Sequence, residues 1–327
     1  MPEGDTVFRQ CRILHEALAG ATLTSSELRV PRHATADLTG WRVREVRPRG
    51  KHLLIRLVPP EGSGAPPMTL HSHLMMDGIW RVDGRALRSS DTSAGPRDPA
   101  TIRIRLVARH GDGHEVRAIA YEVQQVRLLR TADEAEIVGT LGPDLLDPDW
   151  SDAHRGRAIE NLAAEPDRPI GLALLDQHLL AGVGNIYRSE LCFLRRVHPA
   201  ATVAQAGDLG TLVDLARRLL LLNAEREVRV TTGGMLGRDG DLWVYGRGGK
   251  QCRRCRTRIE RSEIAEPRLE GTEGRGLWTC PRCQGPDPRA TAAAPLAWSP
   301  HRGRGPSGGR TASRASRPGY GHGRTDR

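Results

Sequence analysis

Residues 179–196 read LLAGVGNIYRSELCFLRR. The first two leucines close an apolar stretch, PIGLALLDQHLL (169–180), that reads as a helix, and Asn185 opens a second one. Between them lie two glycines in a Gly-x-Gly turn, so the segment predicts helix, two turns, helix. The amino end of a helix presents unpaired N–H groups and the positive end of its dipole, which makes the turn and Asn185 a site for phosphate. The same pattern also fits an ordinary corner between two helices, with Asn185 as the cap.

Outward from that corner the helical period continues in SDAHRGRAIENLAAE (151–165) and DLGTLVDLARRLLLLNAE (208–225). Before residue 131 the pattern is different. TLTSSELRV, WRVREVRP, HLLIRLV, MTLHSHL, TIRIRLVA and EVRAIAYEVQQVRLL alternate or are rich in branched residues, and PPEGSGAPP and SSDTSAGPRD separate some of them as loops. One amphipathic helix precedes the strands, with Val7, Cys11, Leu14 and Leu18 at helical spacing. The fold class expected is α+β: a β-sandwich with a flanking helix over 1–131, a helical domain over 132–247, a cysteine ribbon over 248–284 and a disordered tail over 285–327. That tail has 14 Gly or Pro among 43 residues and too little apolar surface to fold.

The net charge is +10, and the tail holds +6 of it, from eight arginines against two aspartates. An excess of this kind favours polyanions such as nucleic acid, or serves only as a solubilising surface. No apolar run is long enough to span a membrane, and Glu3 and Asp5 stand where a signal peptide would be basic. A cytoplasmic, monomeric protein is expected. Of 49 basic residues only Lys51 and Lys250 are lysines. Arginine keeps its proton at all working pH, whereas a lysine amine can be tuned, so a lysine at the head of an apolar strand invites a chemical role.

Cys252 and Cys255 form one CxxC, Cys280 and Cys283 another, with 24 residues between the pairs. Two such turns offer four thiolates in tetrahedral array, the set that one structural zinc ion takes; a redox pair or disulfides are the alternatives. Four cysteines leave no open coordination position. Cys11 and Cys192, on helix faces, read as apolar fillers. A Gly-rich hairpin between the pairs carries Arg275.

The chain starts Met-Pro-Glu-Gly. Removal of the methionine would expose Pro2 as a secondary amine, and an N-terminal amine has a reference pKa of about 8 against about 10.4 for lysine. Such an amine attacks an aldehyde-level carbon to give an iminium directly. Glu3 lies within reach to move protons.

Together Pro2-Glu3-Gly4, RGKHLLIRL with Lys51, AGVGNIYRSE with Asn185 and the ribbon with Arg275 resemble the formamidopyrimidine-DNA glycosylase and endonuclease VIII family, from Pro2 to Gln284. The resemblance implies a DNA repair enzyme acting on double-stranded DNA that contains damaged bases or abasic sites. Pro2 would be the nucleophile that displaces the base and forms a Schiff base, and Glu3 the acid that opens the sugar. Lys51 would contact phosphate and assist base loss, Asn185 would hold phosphate near the lesion, and Arg275 would bind the flanking phosphate and help β/δ-elimination. HSHLMMDGIW matches the family's plug loop, with Met76 at the plug and Met75 beside it. Two flexible apolar side chains suit an emptied base stack, or they belong to the core. His71 and His73 read as packing with a local hydrogen bond rather than as metal ligands. The short stretch TTGGMLGRDGDLWVYGR and GIWRV resemble the endonuclease VIII branch, which implies oxidised pyrimidines. Purine-directed excision, and a zinc-ribbon nucleic-acid-binding protein without chemistry, are the alternatives.

Overall fold

The computed structural model describes residues 2–83, 85–86, 97–234, 241–265 and 274–292. Helix α1 (Gly4–Leu18) leads into nine strands: β1 (Thr22–Leu28), β2 (Arg42–Arg49), β3 (His52–Val58), β4 (Met68–His73), β5 (Ile79–Val82), β6 (Arg85–Ala86), β7 (Ile102–Arg109), β8 (Glu115–Tyr121) and β9 (Gln125–Arg130). They form one antiparallel order, β6-β5-β8-β7-β1-β2-β3-β4-β9. The pairing between β1 and β2 is reduced to Thr22 opposite Arg42, so the order is pinched into two halves at that point. Both halves and α1 enclose a single core, which is how the expected sandwich is realised.

Period explains who faces inward. Along β7, Ile102, Ile104, Leu106 and Ala108 are buried while the residues between them are not. On α1, Val7, Cys11, Leu14 and Leu18 are no more than 1% exposed. Each large apolar side chain so buried contributes about 1.5–3 kcal/mol.

The second lobe holds α2 (Ala135–Val138), α3 (Asp152–Ala163), α4 (Ile170–Ala173), α5 (Asn185–Leu194) and α6 (Leu209–Ala224). Asp208 caps α6 by accepting from the Gly210 and Thr211 N–H groups, worth about 1 kcal/mol. The stretch 169–180, expected to be a full helix, is helical only over Ile170–Ala173 and then proceeds through turns. Phe8 on α1 packs against the core of this lobe, so α1 serves both lobes with opposite faces.

Strands β10 (Glu260–Ile264) and β11 (Arg275–Thr279) pair as the ribbon, followed by α7 (Pro281–Gln284) and α8 (Pro288–Ala292). Helix α8 corrects the expectation that the chain is disordered from residue 285. The Arg289 side chain there donates to the Glu263 carbonyl of β10 and pairs with Asp287. The rest of the expected tail, 293–327, lies outside the described residues, as do Met1, the hairpin tip 266–273 and positions 235–240 of the short glycine-rich stretch.

Candidate active site

Glu3 is 0% exposed, and its carboxylate accepts from the N–H groups of Gly184 (2.8 Å), Ile186 (2.7 Å) and Tyr187 (3.3 Å). It sits on the amino end of α5, where the unpaired donors and the dipole favour negative charge. The donors that the sequence assigned to a phosphate are therefore engaged by the protein's own carboxylate, a side chain 181 residues away. The glycines make room for it. A Cβ on Gly184 would lie 2.5 Å from the Glu3 Cδ, and one on Gly4 would lie 2.8 Å from the Gly182 Cα. The Gly4 N–H also donates to the Gly182 carbonyl at 2.9 Å.

Lys51 follows Gly50, which turns the chain from β2 into β3 with φ 59°. The Gly50 N–H donates to Asp144 at 2.6 Å, and Asp144 bridges to Ala181, the first residue of the glycine turn. Asp144 thus ties the lysine's turn, held by its carboxylate, to the turn that holds Glu3, paired through the backbone on either side of it. Burial raises the Asp144 carboxyl above its ordinary value, against the N–H groups of Gly50 and Leu146. Burial likewise pulls the Lys51 ammonium down to about 8, opposed by Glu3 and reinforced by Arg275 and Arg229. These mutual fields gather the first residues, the lysine and the ribbon arginine around one centre.

Beneath that centre lies a group that the sequence reading passed over. Asp5 and Arg229 form a bidentate ion pair, and the Tyr187 hydroxyl donates to the same carboxylate at 2.8 Å. Burial alone would raise the Asp5 carboxyl, but Arg229 and Tyr187 hold it below the ordinary range.

Asn185 is 8% exposed, and its Oδ1 accepts from Arg188, which also donates to the Gly276 carbonyl of β11. Arg188 therefore connects the start of α5 to the strand whose first residue, the exposed Arg275, faces solvent. Burial pulls the Arg188 guanidinium down to about 10. Nothing in the sequence signalled Arg188 or Arg229: Asp5 is 224 residues from Arg229, and Arg188 joins the nearby Asn185 to a carbonyl 88 residues away.

Met76 is 51% exposed on the turn after β4, Met75 beside it is half-buried with φ 53°, and neither joins the apolar core. Two bonds shape the turn: the Met75 N–H donates to His73 Nδ1 at 3.0 Å, and the Gly78 N–H to the Leu74 carbonyl at 2.8 Å.

Cys252, Cys255, Cys280 and Cys283 place their sulfurs within 4.8 Å of one another, with 4.0 Å between Cys252 and Cys283 and 3.4 Å between Cys255 and Cys280. A tetrahedral ion with metal–sulfur bonds of about 2.3 Å needs sulfurs about 3.8 Å apart, so the set fits a metal ion. Cys11 and Cys192 are fully buried, and burial pushes both thiols up, Cys192 to about 12. They are inert fillers.

Residues 1–121 match the formamidopyrimidine-DNA glycosylase N-terminal domain, and residues 141–220 the formamidopyrimidine-DNA glycosylase H2TH domain. The chain is 47% identical over 292 residues to the probable endonuclease 8 2 of Streptomyces coelicolor, covering 88% of this chain and 96% of the relative. It is 44% identical over 285 residues to the DNA-(apurinic or apyrimidinic site) lyase Nei2 of Mycolicibacterium smegmatis, covering 87% and 99%. Among solved structures, Lactococcus lactis formamidopyrimidine DNA glycosylase bound to DNA with an AP site superimposes with a TM-score of 0.65 at 25% identity, over 87% of this chain and 100% of that one. Among the described residues no helix is long and apolar enough to cross a membrane.

Proposed function

The chain belongs to the formamidopyrimidine-DNA glycosylase and endonuclease VIII family, on its endonuclease VIII-like side, and from this premise we propose how its residues act. It is a DNA repair glycosylase and AP lyase. With the methionine removed, the Pro2 nitrogen attacks the anomeric carbon of the damaged nucleotide, the base leaves with the bonding pair, and ring opening gives an iminium. That cation draws electrons from the neighbouring C–H bond, and β- then δ-elimination break the strand. Glu3 moves protons at the opened sugar. Lys51 and Asn185 hold phosphates beside the lesion, Arg275 holds the flanking phosphate from the ribbon, and Met76 with Met75 fills the emptied stack. One zinc ion on Cys252, Cys255, Cys280 and Cys283 supplies structure to the ribbon and takes no part in the chemistry. The working place is the bacterial cytoplasm, on nucleoid DNA, as a monomer.

The observation that carries this reading is the seat of Glu3 on α5. It brings the chain's first residues into the field of Lys51 and Arg275, where an amine nucleophile meets cations suited to a phosphodiester. Oxidised pyrimidines and abasic sites are the proposed substrates, since the two relatives described above are named endonuclease 8 and AP lyase. The test is borohydride reduction with an abasic duplex. A covalent adduct is expected from protein that begins at Pro2, and none from protein that retains the methionine. Equal trapping by both forms would refute the assignment to Pro2, and duplexes with single oxidised bases would rank the substrates.

A further inference from the structure

Three histidines stand together on the outer face of β3 and β4. His52 and His73 are directly opposed in the ladder. Their rings meet edge to face at 5.0 Å, and His71 stacks on His52 at 5.1 Å. His52 Nδ1 and His71 Nε2 are 2.9 Å apart. His71 is 1% exposed and its Nδ1 has no partner, whereas His52 is half-buried.

These contacts assign the protons. A buried N–H without an acceptor is costlier than a bare lone pair, so His71 carries its hydrogen on Nε2 and donates to His52 Nδ1. His52 is then an Nδ1 acceptor, and its hydrogen must sit on Nε2. The charged groups acting on the trio are Lys51 and Arg49 on His52, Arg127 on His71 and Lys51 on His73. All are cations. Burial and these neighbours keep the three rings neutral, with His52 at about 3 and the other two at about 4. Each of those cations already faces a carboxylate, Lys51 that of Glu3, Arg49 that of Asp144 and Arg127 that of Glu136. What the cluster leaves over is the His52 Nε2–H, a donor with no acceptor among the described residues, on a half-buried ring beside Lys51.

Building on the glycosylase reading, we infer that His52 is a further phosphate ligand: its Nε2–H, fixed by His71 behind it, donates beside Lys51 to one backbone phosphodiester of duplex DNA. His71 is a positioning residue that never touches DNA. His73 accepts the Met75 N–H on its Nδ1 and so also carries its hydrogen on Nε2; the His52 variant reads His52 apart from it.

The test uses the full chain and an uncleavable duplex with a tetrahydrofuran abasic analogue, with dissociation constants read by fluorescence anisotropy. His52→Phe keeps the ring and should weaken binding five- to tenfold. His71→Leu should weaken it equally, while His71→Gln, whose Nε2 can reach the same His52 nitrogen, should stay within twofold of wild type. Neutral methylphosphonates placed singly around the analogue should penalise wild type at one phosphate and His52→Phe several-fold less at that same phosphate. Unchanged binding by His52→Phe, or a His71→Gln loss as large as that of His71→Leu, overturns the inference. Should His71→Leu fail to fold, the His52 variant and the methylphosphonate series decide. A wild type that does not bind the duplex at all sinks the glycosylase reading, and this inference with it; tight wild-type binding with an indifferent His52 sinks this inference alone.

Discussion

Asp5 and Arg229, 224 residues apart in sequence, meet in a buried two-point ion pair with both N···O distances at 2.7 Å. Asp5 lies in the first turn of α1 and Arg229 beyond the end of α6, so the pair fastens the amino-terminal end of the chain to the helical lobe. Removing one partner leaves a buried charge unmatched, at a cost of about 3–5 kcal/mol. Arg229→Met should therefore unfold at a markedly lower temperature than wild type, and the double variant with Asp5→Asn should recover part of the loss. The pH dependence follows from the lowered Asp5 carboxyl. Its contribution is full above the ordinary carboxylate value of about 3.9 and is lost as pH falls through the lower folded value. Acid unfolding should be less steep in Arg229→Met, as read by circular dichroism from pH 5 to pH 2.

Gly184 touches Glu3 so closely that an added methyl must move the carboxylate. Gly184→Ala should cost about 1–3 kcal/mol and lower base excision at least tenfold in single-turnover assays. Gly20→Ala is the control: its φ of 85° is strained for alanine, yet nothing lies within 4 Å. It should lose about 1 kcal/mol and keep full excision. Equal excision by the two variants would break the link between Glu3 placement and chemistry.

The Lys51 ammonium, drawn down to about 8 by burial, loses its charge within the ordinary assay range. Affinity for an abasic-analogue duplex should fall by about threefold or more from pH 7 to pH 9 as the charge on this contact disappears. Lys51→Arg keeps its charge and should bind with little change over that range. Stability moves the opposite way. The unfolded lysine holds its proton to about pH 10.4 and the folded one does not, so wild type should gain stability between pH 8 and pH 10.

Arg188 makes two useful bonds and leaves Nε and Nη1 without partners. Buried donors left unmade cost stability, so Arg188→Met should shift the melting temperature by only about 2 °C. The same change frees Asn185 and the Gly276 strand from each other. Strand cleavage at an abasic site should drop about tenfold, and a melting loss of 10 °C or more without that drop would show Arg188 to be structural alone.

Legibility followed range. The amphipathic α1, the strands and the four cysteines were readable because their signals are local periods and spacings. The turn before Asn185 was readable as well, but its donors were credited to phosphate, since no local rule announces that residue 3 will occupy them. Leu174–Leu180 looked helical by composition and is not, because Asp176 and Gln177 spend their side chains on backbone bonds of the following turns. Arg188 and Arg229 left no trace in the sequence, where they are two of 47 arginines.

The seat of Glu3 also sets the moment at which the amino-terminal end of the chain can settle. Its carboxylate has its full set of donors only once Tyr187 has emerged from the ribosome, so more than half of the polypeptide must be synthesised before the amino-terminal end is seated. Chains that stop short of α5 lack that seat altogether.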